Sequence, residues 1–391
     1  TGVINGITYT VVDEAMLREM VENEQDVTKA VTTKVTNMSE LFFISNSNPN
    51  SFNQPIGNWD VSNVTSMKFM FRNATSFNQD ISNWDVSNVF NMQAMFQIAT
   101  SFNQPIGSWD VSNVINMNEN YSNGYGLGMF AGATSFNQDI SNWDVSGVND
   151  MSGMFSGATS FNQPIGNLNV SGVNDMSGMF SGATSFNQDI SNWDVSSVVV
   201  MAGIFSGATS FNQPIGNLNV SGVADMSWMF SGATSFNQDI SNWDVSSVND
   251  IQQMFSGATS FNQPIGNWDV GNVRLVTRMF AGATSFNQPI GDWNTSSVTS
   301  NSPNDNNPSG LAGMFTSATS FNQDISNWDL SGVTDVRAMF QDATSFNQNL
   351  SSWQINPVYY CQSFCNGAIS WTLPKPNFSG CSYDNGPGQC P

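Results

Sequence analysis

Apolar residues recur along most of the chain in a fixed pattern of 25 residues. Each repeat begins at the phenylalanine of a Ser-Phe-Asn-Gln phrase, and nine of the eleven intervals between these residues are 25 long, the others being 34 and 35. With this Phe as position 1, the repeat from Phe186 to Ala208 has apolar residues at positions 1, 5, 8, 10, 13, 16, 19, 20 and 23. Such a period predicts a solenoid, since one coil cannot bury its own apolar side. The twelve phenylalanines are Phe52, Phe77, Phe102, Phe136, Phe161, Phe186, Phe211, Phe236, Phe261, Phe286, Phe321 and Phe346.

The pattern within one repeat predicts a short strand followed by tight turns. Trp193, Asp194 and Val195 alternate between apolar and polar, which indicates a strand with Trp and Val inward and Asp outward. The other apolar positions step every three residues, which favours turns over long helices. The strand is therefore predicted to pair in parallel with its copies in neighbouring coils.

Both ends of the chain differ from the repeat as solenoid caps do. Residues 7–12 predict a strand, and Asp13 can then cap a helix. This helix would carry Leu17, Met20 and Val21 on one face. The predicted domains are an N-terminal cap over residues 1–34, a repeat solenoid over 35–371 with insertions near 118–128 and 299–313, and a Cys-containing C-terminal cap over 372–391.

Two long motifs resemble a known family of surface proteins. The stretches ATSFNQDISNWDVSNVFNM (74–92) and DMSGMFSGATSFNQDISNWDVSS (175–197) are similar to the BspA-like leucine-rich repeat proteins. They resemble in particular the repeat first catalogued in mycoplasma surface lipoproteins, over about residues 35–371. The resemblance implies a mainly β fold, a right-handed solenoid of leucine-rich-like coils with short parallel strands. It implies a role at the cell surface in adhesion, attachment or an extracellular structure, and it carries no catalytic residues.

Four cysteines are confined to the C-terminal end. Cys361 and Cys365 take inward positions 16 and 20 of the last repeat, and Cys381 and Cys390 lie in a tail rich in Gly and Pro. Three pairings exist. Cross-pairing of each coil cysteine with a tail cysteine is favoured because it ties the tail down, and local pairing within each couple is the alternative. Either pattern indicates an oxidising compartment. Zinc is disfavoured because the chain has no His and no paired C-x-x-C spacing.

Charge and hydropathy narrow the partners and the location. Thirty acidic and nine basic residues give a formal charge of −21, which argues against nucleic acid or an anionic membrane as partner. No stretch approaches the ~20 apolar residues of a membrane-spanning helix. Thr1 is not an initiator Met, so we expect that a signal segment has been removed and that the protein is extracellular or on the cell surface.

The composition does not favour an enzyme. The chain has no His, which removes the commonest general base and the Ser-His and Cys-His pairs. Ser, Thr and Asp recur in columns, whereas an active site is a local exception in a repeat. We therefore predict a non-enzymatic protein without a cofactor.

The carboxylates after the Trp column raise the question of calcium. From Asp144 to Asp244 they alternate with Asn in successive repeats, which weakens repulsion between stacked like charges. Asp60, Asp85 and Asp110 form an uninterrupted run, where calcium bridging is the sharper alternative to solvated carboxylates. No calcium-binding loop motif is present there.

Asparagines carry two further predictions. Those at position 2, such as Asn187, are expected to hydrogen-bond from one coil to the next. N-glycosylation sequons, which are weak signals singly, are the second feature. They lie at Asn37, Asn63, Asn73, Asn120, Asn169, Asn219, Asn294, Asn349 and Asn377.

The two insertions are the main local exceptions, and Tyr121 and Tyr125 in the first are natural contact residues. The resulting expectation is a secreted structural or adhesive solenoid, or a subunit of an extracellular filament or coat. It would associate with itself, with other surface proteins or with glycans, without nucleic acid or membrane insertion. A glycan- or protein-binding module is the alternative. Ice binding is the third, because Thr residues recur regularly although they flank turns; examples are Thr75, Thr100, Thr134 and Thr159.

Overall fold

A computed structural model describes most of the chain. The described residues are 1–43, 45, 50–119, 127–300, 308–353, 358–378 and 381. Their contacts divide the chain into two compact units, Thr1–Ser197 and Val198–Pro391. Four predicted site residues lie outside the described part, namely Asn120, Tyr121, Tyr125 and Cys390.

The first unit begins with a small sheet and one helix. The sheet has the order β1-β2-β3, with β1 and β2 antiparallel and β2 and β3 parallel. Asn5 and Gly6 between β1 and β2 both have positive φ, at 52° and 79°, as a tight hairpin turn requires. The elements are β1 (Gly2–Ile4), β2 (Ile7–Val11), α1 (Glu14–Glu22) and β3 (Ala30–Val31).

Helix α1 begins where the sequence predicts. Asp13 is its N-cap, and the carboxylate accepts a hydrogen bond from the backbone N–H of Met16 at 2.9 Å. Leu17 is fully buried, whereas Met20 and Val21 are only half-buried, so the inward face is narrower than the pattern suggests. The hairpin partner β1 was not predicted.

A second short pair flanks the first insertion. Strands β4 (Asn118–Glu119) and β5 (Leu127–Gly128) are antiparallel and bring the two ends of the insertion together. The coil can therefore continue in register after the insertion.

The strand predicted at Trp-Asp-Val does not form in the described coils, which corrects the sequence prediction. Burial alternates as expected, since Trp193 and Val195 are buried and Asp194 is exposed. However, the N–H of Trp193 donates to the carbonyl of Ile190 at 3.0 Å, within the same coil. The N–H of Val173 donates in the same way to Val170 at 2.9 Å. Because these groups close turns, they are not available for a ladder between coils.

Parallel pairing occurs instead at repeat position 15, as isolated bridges between successive coils. In the first unit the bridges are Asn37–Ser66, Ser66–Asn91, Asn91–Asn116 and Asp150–Asp175. In the second unit they are Val200–Asp225, Asp225–Asp250, Asp250–Leu275 and Asp335–Tyr360. Repeated parallel pairing at one position, with turns elsewhere, is the pattern of a solenoid.

Aromatic rings fill the core of each unit. In the first unit, Phe77 stacks on Phe102 with ring centroids 5.9 Å apart and 6° between planes, and Phe71 stacks on Phe96 at 5.5 Å. Within one coil the two columns meet, because Phe71 and Phe77 lie 4.0 Å apart. All four rings are fully buried. The core is therefore a continuous aromatic stack that grows by one coil at a time.

Candidate functional site

The exposed carboxylates after the Trp column hold turns of their own coils. The Asp60 carboxylate accepts hydrogen bonds from the N–H of Ser62 at 3.1 Å and from its hydroxyl at 2.6 Å. These bonds, first that of the hydroxyl, lower the pKa of Asp60 below its ordinary value. Asp85 and Asp110 make the same two bonds to the serines two residues later.

Metal binding finds no support at these positions. Among the residues that the structure describes, no group of three or more His, Cys, Asp or Glu side chains is placed to hold a metal ion. The Asp60, Asp85 and Asp110 carboxylates each bond to their own turn, so the calcium alternative has no ligand cluster to rest on.

A second turn distinguishes the Gln-Asp-Ile-Ser repeats from the Gln-Pro-Ile-Gly repeats. Asp139 at position 4 accepts the N–H of Ser141 at 2.9 Å. In all twelve repeats, Pro at position 4 goes with Gly at position 6, and Asp or Asn goes with Ser. A Cβ on Gly107 would overlap the backbone carbonyl oxygen of Asp139 in the next coil. The pairing of Pro with Gly therefore has a steric cause, because a side chain at position 6 of such a repeat would meet the backbone of the next coil.

Position 2 carries an asparagine ladder, as predicted. The side-chain oxygen of Asn137 accepts the N–H of Asn162 at 2.9 Å and the side-chain N–H of Gln163 at 3.0 Å. Asn212 accepts from Asn237 and Gln238 in the second unit at 3.0 Å each. The side-chain oxygens of these asparagines therefore join successive coils by hydrogen bonds.

The Thr column considered for ice binding is also engaged between coils. The hydroxyl of Thr134 donates to the carbonyl of Thr100 at 3.3 Å, and that of Thr159 donates to Thr134 at 3.4 Å. Thr100 donates likewise to Thr75 at 3.3 Å. These hydroxyls donate to backbone rather than forming a free array.

Four of the described sequons share one geometry. The asparagine is exposed, and its side-chain oxygen accepts both the N–H and the hydroxyl of the sequon serine. The amide nitrogen that would carry a glycan points away from these bonds. The four are Asn169, Asn219, Asn294 and Asn349.

The other sequons differ in accessibility. Asn73 is buried, and its side-chain nitrogen donates to a carbonyl of the preceding coil at 3.0 Å. Asn63 is exposed but its nitrogen makes the same kind of bond at 3.0 Å. Asn37 is half-buried and Asn377 is exposed, whereas Asn120 lies outside the described residues.

Carboxylates at position 15 form a feature that the sequence analysis missed. Asp225 and Asp250 pair directly through a parallel bridge. Burial raises the pKa of Asp250 to about 6. Hydrogen bonds from Gln252 lower this pKa, whereas the negative charge of the nearby Asp225 carboxylate raises it. The sequence does contain a pattern that could have predicted this pairing, because Asp recurs at position 15 in neighbouring repeats without an intervening amide.

The C-terminal cysteines tie the tail to the last coil. Cys361 is fully buried and forms a disulfide with Cys381. This bond belongs to the cross-pairing arrangement and excludes a bond between Cys361 and Cys365. Cys365 is also disulfide-bonded. Trp371 packs edge-on against Phe346 at 4.8 Å and so closes the aromatic stack.

Comparison with known proteins places the chain in a family. In the part of the chain that the structure describes, no helix is long and apolar enough to cross a membrane. No curated protein matches the chain. One family model matches four times, over residues 13–126, 127–228, 201–308 and 304–374, and so covers most of the sequence. The chain therefore belongs to the repeat family described as Mycoplasma protein of unknown function, DUF285.

Proposed function

We propose that the protein is a non-enzymatic solenoid of the extracellular space or cell surface, with a structural or adhesive role. Its coils would be right-handed and leucine-rich-like, as in the BspA-like proteins that the repeats resemble. The proposal rests on the hydrogen bonds of the polar side chains that recur at fixed positions of the repeat. Asp, Asn and Thr side chains bond to their own turn or to a neighbouring coil, as Asp60, Asn137 and Thr134 do.

The location is supported by the covalent chemistry of the cap. A disulfide between Cys361 and Cys381 persists in an oxidising compartment, which favours an exported protein. The formal charge of −21 favours a soluble surface and disfavours nucleic acid as a partner.

A structural role predicts self-association through constant contacts. We would follow the purified protein by sedimentation velocity over a wide concentration range and image it by cryo-electron microscopy. Regular fibres or sheets would support a filament or coat subunit. Discrete monomers at all concentrations would overturn the filament form and leave adhesion to a surface ligand as the role to test.

A binding module is the second candidate. It is favoured by a row of three large side chains at a position where the coils on either side carry glycine, Gly203 and Gly313.

A further inference from the structure

Repeat position 18 carries three large side chains in successive coils of the second unit. Trp228, Gln253 and Arg278 have φ of 54°, 55° and 55°, in the left-handed region. The coils on either side of this run carry glycine there, Gly203 and Gly313, with φ of 60° and 64°. A side chain in this conformation costs about 1–2 kcal/mol. The three coils therefore accept backbone strain for side chains that the fold does not require.

The three residues lie in one row, which we call the Trp-Gln-Arg stripe. The N–H of Trp228 donates to Gln252 in the next coil at 2.9 Å, and Gln253 and Arg278 make the same bond to their next coils at 2.9 and 3.0 Å. Equal register and equal φ direct their Cα–Cβ bonds the same way. At a strand spacing of about 5 Å per coil, the stripe is about 10 Å long.

The stripe is open to solvent at its cationic end. Trp228 and Gln253 are partly exposed and Arg278 is exposed. Gly313 makes room for the arginine, because a Cβ there would lie 2.9 Å from Arg278 Cγ. The glycine thus lets the Arg278 side chain lie along the next coil.

Arg278 is a cation without a carboxylate partner among the described residues. None of the five ion pairs there includes Arg278 or its neighbour Arg274, which is also exposed. Both side chains are exposed, which makes them accessible to an anionic ligand.

Another bulky residue at position 18 shows that the stripe is not ordinary packing. Phe69 in the first unit also has positive φ, at 57°, but it is buried. It lies under the cations of Arg72 and Lys68, at 4.7 and 4.6 Å from the ring centroid. Packing explains Phe69 and does not explain the exposed stripe.

We propose that the Trp-Gln-Arg stripe binds an acidic oligosaccharide, one built of uronic acid residues. The indole of Trp228 offers an apolar face with a polar edge for the C–H side of a sugar ring. The amide of Gln253 can donate to and accept from sugar hydroxyls. The guanidinium of Arg278 matches a carboxylate in a two-point bond, and the stripe is long enough for a disaccharide.

A peptide strand is a poorer occupant of the same surface. The backbone N–H groups of Trp228, Gln253 and Arg278 already bond to the next coil. An added strand would have no row of free donors to pair with. The ligand must therefore be recognised by the side chains, which suits a flat sugar chain.

The test is calorimetric titration of the full chain with tetragalacturonate, with neutral maltotetraose as the uncharged probe. The parent is expected to bind tetragalacturonate saturably and more tightly than maltotetraose, with affinity falling as salt rises. Trp228→Gly and Arg278→Gly restore the residue of other coils, so they should fold. Each is expected to weaken binding about tenfold or more, as expected for loss of a bond to a charged group or of an aromatic contact.

Ala338→Gly is the matched control, because Ala338 occupies the same position with φ of 53° but lies outside the stripe. It should bind as the parent does. Absence of saturable binding by the parent, or unchanged affinity in Arg278→Gly, would overturn the proposal. Tetraglutamate that binds as tightly as tetragalacturonate, with an affinity that Trp228→Gly leaves unchanged, would show simple charge attraction. This result would also overturn the proposal. Self-association is measured separately, so a failure here leaves the structural role standing.

Discussion

At the scale of single residues, the exposed Asp and Asn side chains of this protein act mainly on their own backbone. Asp244 accepts the N–H of Ser246 at 3.0 Å and its hydroxyl at 2.6 Å. Asn219 makes the equivalent bonds to Ser221 at 3.3 and 2.8 Å. Both side chains supply the acceptor oxygen that the turn needs.

Replacing Asp244 tests this directly. Asp244→Ala removes both hydrogen bonds and is expected to lower the free energy of unfolding by about 1 kcal/mol. Asp244→Asn keeps the acceptor and loses only the charge, so it should destabilise the protein less than Asp244→Ala. Denaturant unfolding followed by circular dichroism measures both. Equal destabilisation by the two variants would show that the charge, and not the turn, is what matters.

Glycan acceptance should follow the accessibility of each amide nitrogen. In a eukaryotic secretory host we expect occupancy at Asn219, which is exposed, and none at Asn73, which is buried and donates its N–H to Ser45. Peptide mass spectrometry with and without glycosidase gives the occupancy. Ser221→Ala is the control that should empty Asn219. Full occupancy at Asn73 would contradict the buried position of that side chain.

At the scale of the coil, the glycine at position 6 lies directly against the backbone of the following coil. Gly166 has no room for a Cβ, which would overlap the carbonyl oxygen of Asp189. Gly172 in the same coil does have room, since a Cβ there would lie 3.4 Å from the nearest atom, Ser146 O. Only one of the two glycines is thus required by contact between coils.

The two glycines of this coil form a matched pair of variants. Gly166→Ser is expected to destabilise the protein by about 1–3 kcal/mol, because a tight contact with backbone must open. Gly172→Ser should change stability little. Thermal unfolding of both variants beside the parent gives the comparison. A neutral Gly166→Ser variant would show that the pairing of Pro with Gly reflects something other than this contact.

At the scale of the whole molecule, stability should peak in mildly acidic solution. Hydrogen bonds from Ser246, first from its hydroxyl, lower the pKa of Asp244, so that its contribution is lost as pH falls below the ordinary value. Asp250 acts in the opposite sense, because its pKa is raised to about 6 in the folded protein. The folded state then holds a proton that the unfolded state has released, so stability falls as pH rises from about 4 to 6.

Asp250→Asn separates these two effects. The amide imitates the protonated carboxyl, so we expect this variant to be more stable than the parent at pH 7 by ~2 kcal/mol. At pH 4 the difference should vanish. Urea unfolding at several pH values measures it, with Asp244→Asn as the control that lacks the gain at pH 7. A stability difference that does not depend on pH would contradict the raised pKa.

The periodic sequence is enough to predict which positions are buried and how often the coil repeats. Phe186, Trp193 and Val195 are buried because every copy of an apolar position faces the same core, and Asp13 caps α1 because a cap depends on residues close in the chain. The role of the asparagines at position 2 was also predicted, since Asn187 and its copies were expected to hydrogen-bond between coils. The resemblance of the repeats to the mycoplasma repeat family was confirmed over residues 13–374.

Which backbone groups pair is settled only by contacts between coils. Trp-Asp-Val alternates like a strand, yet the Trp N–H closes a turn and the parallel bridges lie at position 15, as between Asp225 and Asp250. Register between residues 25 apart is set by the stacked coil, and a periodic sequence leaves that register open at every column. For the same reason only the structure revealed the overlap at Gly166 and the strained, partly exposed row of Trp228, Gln253 and Arg278.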